Sequence, residues 1–416
     1  MRISLRFLIL AAIFTALALA ALVSAPWPSP TPLGVTPIAS RGGVVELIDF
    51  LPRLPSLDGS VDYTSRVQAA IDAAAGRTLR LPPFPVLVSP PPGANHCLVV
   101  RASMAIVGNP SSSLREHTGA VQLLRCENVD GLQLEGFALS GNGGVGSALG
   151  HGTLQIWRCR NVALRSMRVY RTDADAIAVA DSENICIESC VIEHASKAGI
   201  YLSNCLDASV SGNIVRDVTG HVAANGESVG TGILLLSDTN VVCANNVLDG
   251  GIGNGIMCGS NSDQGRPRGT TIAANRITGF HNTANPQGGS GIVLANLDPD
   301  HATNTLVEGN SVRDCGPYGI LAENHDGAVL RDNTLFESAL CGICVGHARD
   351  VVVQGNVIFN ANRQRLTGQA GIYLHASTSG TQVRANTHVN STSYADAAPI
   401  VDVFDGAAPG SNHVEP

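Results

Sequence analysis

The residues best suited to chemistry lie in one short stretch, where Asp173 and Asp175 are followed by His194 and Lys197 and then by Tyr201. Carboxylates, an imidazole, an amine and a phenol together supply a base, an acid and a cation. These are the groups required to remove a proton from a carbon beside a carboxylate, return a proton, and stabilise the dianion in between. Lys197 or His194 would take the proton and Tyr201 would supply one. C5 of a uronic acid is such a carbon, and the same abstraction underlies both elimination (a lyase) and C5 epimerisation. Paired carboxyls about 5 to 9.5 Å apart would suit glycoside hydrolysis instead. If neither chemistry operates, Asp175 and Lys197 form an ordinary surface ion pair of little energetic weight. Lys197 stands 22 positions after Asp175, so the two meet only if the chain returns on itself with about that period.

That return is written into the sequence. Units open at Gly199-Ile200, Gly232-Ile233, Gly255-Ile256, Gly291-Ile292, Gly319-Ile320, Gly342-Ile343 and Gly371-Ile372. Each is followed by an asparagine: Asn213, Asn246, Asn275, Asn310, Asn333, Asn356 and Asn386. Looser units start near Val121, Leu154 and Ile177. Within a unit, Gly-Ile-x-Leu reads as a short strand with Ile and Leu inward. A second strand, a corner with Asn and a third strand follow. Asparagine tolerates the left-handed conformation of a sharp corner, and its amide can bond its copies in neighbouring coils as a ladder. The expected fold is all-β, a single-stranded right-handed parallel β-helix of about ten or more coils. Thr64 to Ala75 carries Val67, Ala70, Ile71 and Ala74 on one stripe, which predicts an N-terminal capping helix with Asp62 or Thr64 at its start and Gly76 at its end.

The long insertions, 141–152, 219–231, 279–290 and 361–370 before the Gly-Ile strands and 259–269 and 296–304 after them, should wall one sheet into a groove for a linear polymer. Alternation places Gln155, Trp157, Ala178, Ala180, Tyr201, Ser203, Leu234, Met257, Glu323, Tyr373 and His375 on the outer face of that sheet. Trp157 and Tyr201 could stack on sugar rings or pack beneath loops. Gln155, Trp157, Glu227, Glu323 and His325 are the substrate-binding candidates.

Bulk properties narrow the alternatives. Forty-four per cent of the residues are hydrophobic and only 4% aromatic, with 45 glycines. This composition suits a narrow core crossed by many turns. The formal charge of −8 disfavours a nucleic-acid partner. Residues 1–25 read as a cleavable signal peptide, with Arg2 and Arg6 before an apolar run. Retention of that segment would make it a membrane anchor. Export predicts a secreted or envelope location. Residues 26–57 read as a Pro-rich linker, 58–95 as cap helix and first turn, 96–395 as the β-helix and 396–416 as a C-terminal cap or tail. Cys126, Cys159 and Cys205 are expected at one equivalent repeat position, with the pairing of the eleven cysteines open. No cofactor or metal is implied; calcium would need oxygen ligands, and no loop carries its motif.

The opening Val67-Gln68-Ala69-Ala70-Ile71-Asp72-Ala73-Ala74-Ala75-Gly76, followed by Thr78-Leu79-Arg80-Leu81-Pro82, resembles the start of pectate-lyase-like β-helix proteins. Over roughly residues 60 to 395 the repeat is similar to that of polysaccharide lyases, polygalacturonases and mannuronan C5-epimerases. The resemblance implies an extracellular polysaccharide partner, a lyase or epimerase before a hydrolase. Arg171 to Ala178 resembles the aspartate-bearing strands of polygalacturonases, but the Gly-His-Gly and Arg-Ile-Lys segments of that family do not follow; Gly150-His151-Gly152 precedes instead. Asp298-Pro299-Asp300-His301 resembles the Asp-Pro-His segment of the epimerases with an inserted Asp, or is a surface turn. Few aromatics and no complete catalytic motif equally fit a non-catalytic glycan-binding or envelope-scaffold protein.

Overall fold

A strand of alternating apolar residues can bury one face only by stacking against copies of itself, and this chain does so along most of its length. The computed structural model describes residues 43–116, 122–143, 152–172, 174–222, 228–260, 268–282, 289–296, 304–364, 370–390, 401–405 and 411–415. All of them fall in the compact unit Leu33–Pro416; the unit Met1–Pro32, with the expected signal segment, lies outside the described residues. The chain visits three parallel sheets in turn. The first holds twelve strands, from His96–Val100 to Val401–Asp405. The second holds fourteen, from Val44–Glu46 to His413–Val414, and the third twelve, from Pro85–Val88 to Thr387–Val389. One coil runs Asp175–Ala180, Glu183–Glu188, Val191–Ala195, and the next begins at Ala198–Ser203. Val44–Glu46 pairs with Thr78–Arg80, so the stacking begins inside the segment expected to be a linker.

Inward residues of all three sheets form one continuous core, among them Ile177, Ile200, Ile233, Ile256, Ile292, Ile320 and Ile343, all with 0% exposure. From Ile200 onward, the glycine before each isoleucine stands where the third sheet turns into the first. A Cβ at Gly199 would lie 2.5 Å from Val215 Cγ1, and one at Gly291 would lie 2.2 Å from Val312 Cγ1. The repeat therefore requires glycine because a β-branched or leucine side chain of the third-sheet strand that follows in the same coil fills that space.

The asparagines form the ladder. Nδ2 of Asn213 donates to Oδ1 of Asn246 at 3.0 Å, and the same contact, at 2.9 or 3.0 Å, links Asn246, Asn275, Asn310, Asn333, Asn356 and Asn386 in order. Each Oδ1 also accepts the backbone N–H of the preceding ladder member, as Asn246 does from Asn213 at 2.9 Å. One expectation is corrected. The left-handed residue is not the asparagine but the one before it: Gly212, Asn245, Ala274, Gly309, Asp332, Gly355 and Ala385, at φ between 52° and 66°. The preceding residue makes the bend, which aims the amide inward. In the earlier coils Met167 and Cys190 occupy the position before the third-sheet strand, which is why those units read as degenerate.

The cap helix is Thr64–Ala73, with Val67, Ala70 and Ile71 buried. Asp62 Oδ1 accepts the Thr64 N–H at 2.8 Å, and Gly76 follows at φ 72°. Among the described residues no helix is long and apolar enough to cross a membrane. All eleven cysteines are buried and free. The register also corrects their alignment, since Cys126 pairs with Ile156 in the first sheet. Cys159 follows that sheet and lies two coils before Cys205, with Ser182 between them.

Candidate functional site

From the strand Asp130–Glu135 onward, variation in loop length is confined to the two margins of the first sheet. Over the same coils the corner from second to third sheet is short, as from Arg165 to Arg168, Glu188 to Val191, Ser211 to Ile214 and Arg331 to Thr334. Long connections instead enter the first sheet, as between Ser140 and Gly152 or Phe359 and Ala370, or leave it, as between Ser260 and Thr271. The ladder asparagines hold the short corner tight, so insertions accumulate where no such constraint acts. Residues 144–151, 223–227, 261–267, 283–288, 297–303 and 365–369 lie outside the described residues. Asp173, Glu227, His151 and Asp298 to His301 are therefore undescribed as well.

Register brings three of the chemically able residues together. Ala178 pairs with Tyr201 and Ile177 with Ile200, and Asp175 Oδ1 accepts the Ala198 N–H across the coil boundary at 2.9 Å. Asp175 is 0% and Lys197 2% exposed. Burial lowers the Lys197 ammonium below its ordinary range, and the Asp175 carboxylate partly opposes that shift. Burial raises the Tyr201 phenol, a hydrogen bond with Ser203 lowers it, and the charges of Asp175 and Asp238 raise it further. A lowered amine and a raised phenol are the directions appropriate to a base and a proton donor. His194 is not part of this group. It stands at a left-handed position (φ 55°) of the strand Val191–Ala195, exposed, with Nδ1 3.9 Å from Asp217 Oδ2.

The outer face of the first sheet carries one register column: Arg125, Gln155, Ala178, Tyr201, Leu234, Met257, Val293, Leu321, Cys344, Tyr373. It is largely apolar, and Tyr201, Leu234 and Val293 are buried. Gln155 is buried too, its Oε1 accepting the Gly152 N–H at 3.0 Å. Greater exposure lies along the column where strands leave the sheet, at Trp157, Ala180, Leu236, Ala295 and Glu323. The Trp157 ring lies under the Arg158 guanidinium at 4.1 Å, and its Nε1 donates to Asp181 Oδ2 at 3.0 Å. A shallow cavity of about 390 Å³ opens beside it, lined by Arg158, Asp181, Glu183 and Asn204.

His325 is off the outer face. It is fully buried, with Nε2 2.8 Å from Thr305 Oγ1 and Nδ1 3.1 Å from Asn296 Nδ2, and burial pushes its imidazole down to about 3. Thr305 and Asn296, from the preceding coil, hold it, which alternation along a strand cannot reveal. Glu323 remains half-buried at the sheet margin. There Oε1 lies 2.7 Å from Nδ1 of His347, a residue that the sequence pattern did not single out because it follows Gly346, beyond the strand's end. Among the described residues no group of histidine, cysteine or carboxylate side chains is arranged to hold a metal ion.

Comparison with known proteins bears on the architecture. The family described as right handed beta helix region matches residues 152–298 and 280–398. No curated protein sequence matches the chain. Among solved structures, the A-module of mannuronan C-5 epimerase AlgE6 from Azotobacter vinelandii is similar at 17% identity, TM-score 0.56, covering 89% of this chain and 97% of that one. PfbA, a surface adhesin of Streptococcus pneumoniae, aligns at 14% identity and TM-score 0.57 over 83% of this chain and 90% of its own. A mutant tailspike protein of E. coli bacteriophage HK620, in complex with a pentasaccharide, aligns at 14% identity and TM-score 0.55, covering 89% and 67%.

Proposed function

Because the chain belongs to the right-handed β-helix family, we propose that it takes a uronic-acid-containing polysaccharide along its first sheet and abstracts the C5 proton, as a lyase or epimerase. The observation that carries this reading is the convergence of Asp175, Lys197 and Tyr201 on the sheet whose two margins receive the long connections. Lys197, its amine lowered by burial, is the base. Asp175 positions the Lys197 segment through the Ala198 N–H. Tyr201, its phenol raised, remains protonated and returns a proton from the sheet face. In an epimerase that proton arrives on the opposite side of C5. In a lyase the leaving sugar oxygen takes it. The epimerase and tailspike neighbours support a carbohydrate partner by analogy of fold, as does the expectation of export to an extracellular or envelope setting.

The test is incubation with mannuronan, polygalacturonate and other uronate polymers in deuterated water. Unsaturated ends absorb in the ultraviolet, and NMR reads epimers and deuterium at C5. Lys197→Ala is expected to lower the rate by about a hundredfold or more with folding intact. In the wild type the rate should climb with pH through a value below the 10.5 of an ordinary lysine. A wild type that leaves every polymer unchanged removes the reading.

The near-complete burial of Asp175 and Lys197 favours a second reading, in which the pair is structural and the sheet only binds glycan. Glycan-array binding that persists in Lys197→Ala, without turnover in the wild type, would select it. Hydrolysis of the polygalacturonase kind has less support, because Asp175 is spent on a backbone N–H.

A further inference from the structure

Four rungs along the first sheet from Tyr201, about 19 Å by strand spacing, a second polar cluster sits at the margin. Glu323 ends the strand Tyr318–Glu323 and pairs with Gly346, the last residue of Cys341–Gly346. His347 follows that strand, and one coil further His375 follows Ala370–Leu374. His347 Nδ1 lies 2.7 Å from Glu323 Oε1. The two imidazole centroids are 4.8 Å apart, tilted by 31°. Ser377 joins both residues, its Oγ accepting the His347 N–H at 3.1 Å and lying 2.9 Å from His375 Nδ1. A Cβ at position 346 would lie 2.1 Å from Glu323 Oε2, so the carboxylate occupies space that only glycine leaves open.

A carboxylate only accepts, so a neutral His347 carries its proton on Nδ1, toward Glu323, and has the lone pair on Nε2. The Ser377 hydroxyl has a proton to donate to His375 Nδ1, 2.9 Å away, and in that arrangement His375 is protonated on Nε2. One acceptor and one donor then stand side by side, both exposed. The arrangement does not suit bond cleavage. Glu323 is tied to His347, so it is not a free acid for a glycosidic oxygen, and Arg349 Nε is engaged with Asp326 Oδ2 at 2.9 Å. An adjacent acceptor and donor match neighbouring sugar hydroxyls, and the Glu323 charge disfavours an anionic ring.

We propose that Glu323, His347 and His375 form a subsite for the hydroxyls of an uncharged sugar residue. His347 Nε2 accepts from one hydroxyl, and His375 Nε2–H donates to its neighbour. The inference rests on the reading that a glycan lies on the first sheet, and it adds that this glycan carries a neutral unit as well as a uronate.

The experiment is histidine side-chain NMR on the full chain labelled with 15N-histidine, titrated with methyl β-D-glucopyranoside and, separately, methyl β-D-glucuronide. Without sugar, His347 is expected as the Nδ1–H and His375 as the Nε2–H tautomer. With the glucoside both rings should move along one saturation curve, with the glucuronide at least fivefold weaker. His347→Gln should weaken the glucoside at least fivefold, read on His375, and Glu323→Gln should bring the two sugars within twofold. Rings that stay still up to about 100 mM glucoside, a glucuronide that binds as tightly, or an unchanged titration in His347→Gln would overturn the proposal. Still rings alongside polymer turnover would remove only this subsite, whereas moving rings without turnover would remove only the uronate chemistry.

Discussion

At Asp238, one carboxylate oxygen accepts the Cys205 N–H at 2.7 Å, while the other has no hydrogen-bond partner among the described residues. Burial pushes this carboxyl up to about 8, against the lowering effect of the Cys205 hydrogen bond. A carboxyl whose folded value exceeds its unfolded 3.8 binds its proton more tightly in the folded state. Its stabilising contribution is therefore full below about pH 4 and is lost as pH rises through about 8. Asp238→Asn keeps the acceptor for Cys205 and removes the ionisation. The variant should be more stable by roughly 1–3 kcal/mol at pH 9 and should flatten the decline between pH 4 and 9, as read from urea midpoints at each pH. A variant less stable than the wild type at pH 9 contradicts this account. At the same scale, the meeting of Asp175, Lys197 and Tyr201 was legible because the repeat period could be counted. The burial of Gln155 and His325 was not, since alternation tells which side a residue faces and not what packs over it. His347 escaped notice because its position beyond Gly346 has no strand pattern to place it.

The elements are held by two devices with separable costs. Removing one ladder amide, as in Asn310→Ala, strips Asn275 of the acceptor for both its N–H and its Nδ2–H. With both donors buried, the loss should be about 2–4 kcal/mol. Gly291→Ala would place a methyl 2.2 Å from Val312 and 2.7 Å from the Gly319 carbonyl oxygen, neither of which can yield easily, and should cost about 2–3 kcal/mol. Gly250→Ala meets nothing within 4 Å and bears only its left-handed φ of 76°, a cost of about 1–2 kcal/mol. Chemical denaturation of the three variants checks the order, and Gly250→Ala proving the most damaging would contradict it. The strand-corner-strand repeat and the ladder were legible because Gly-Ile and Asn recur at matched spacing. The left-handed residue was misplaced by one because glycine, asparagine, aspartate and alanine all serve there, so no single residue type marks it.

From the strand Asp130–Glu135 onward, the tight second-to-third corner and the variable margins of the first sheet divide the stack into a structural side and a side free to diversify. Sequence spacing alone located that division, since insertions add length to a period without disturbing the strands. It could not show how little of the outer column, Ala178 to Val293, is exposed, because cover comes from residues distant in sequence. On the proposed function, a sugar chain lies along the first sheet, over the column from Tyr201 toward Glu323. A crystal structure of the protein soaked with a uronate oligosaccharide tests this most directly. Sugar density running parallel to the stacking direction on the first sheet, with a carboxylate near Lys197, is the expected result. An oligosaccharide bound against the second or third sheet, with the first sheet bare, would contradict it.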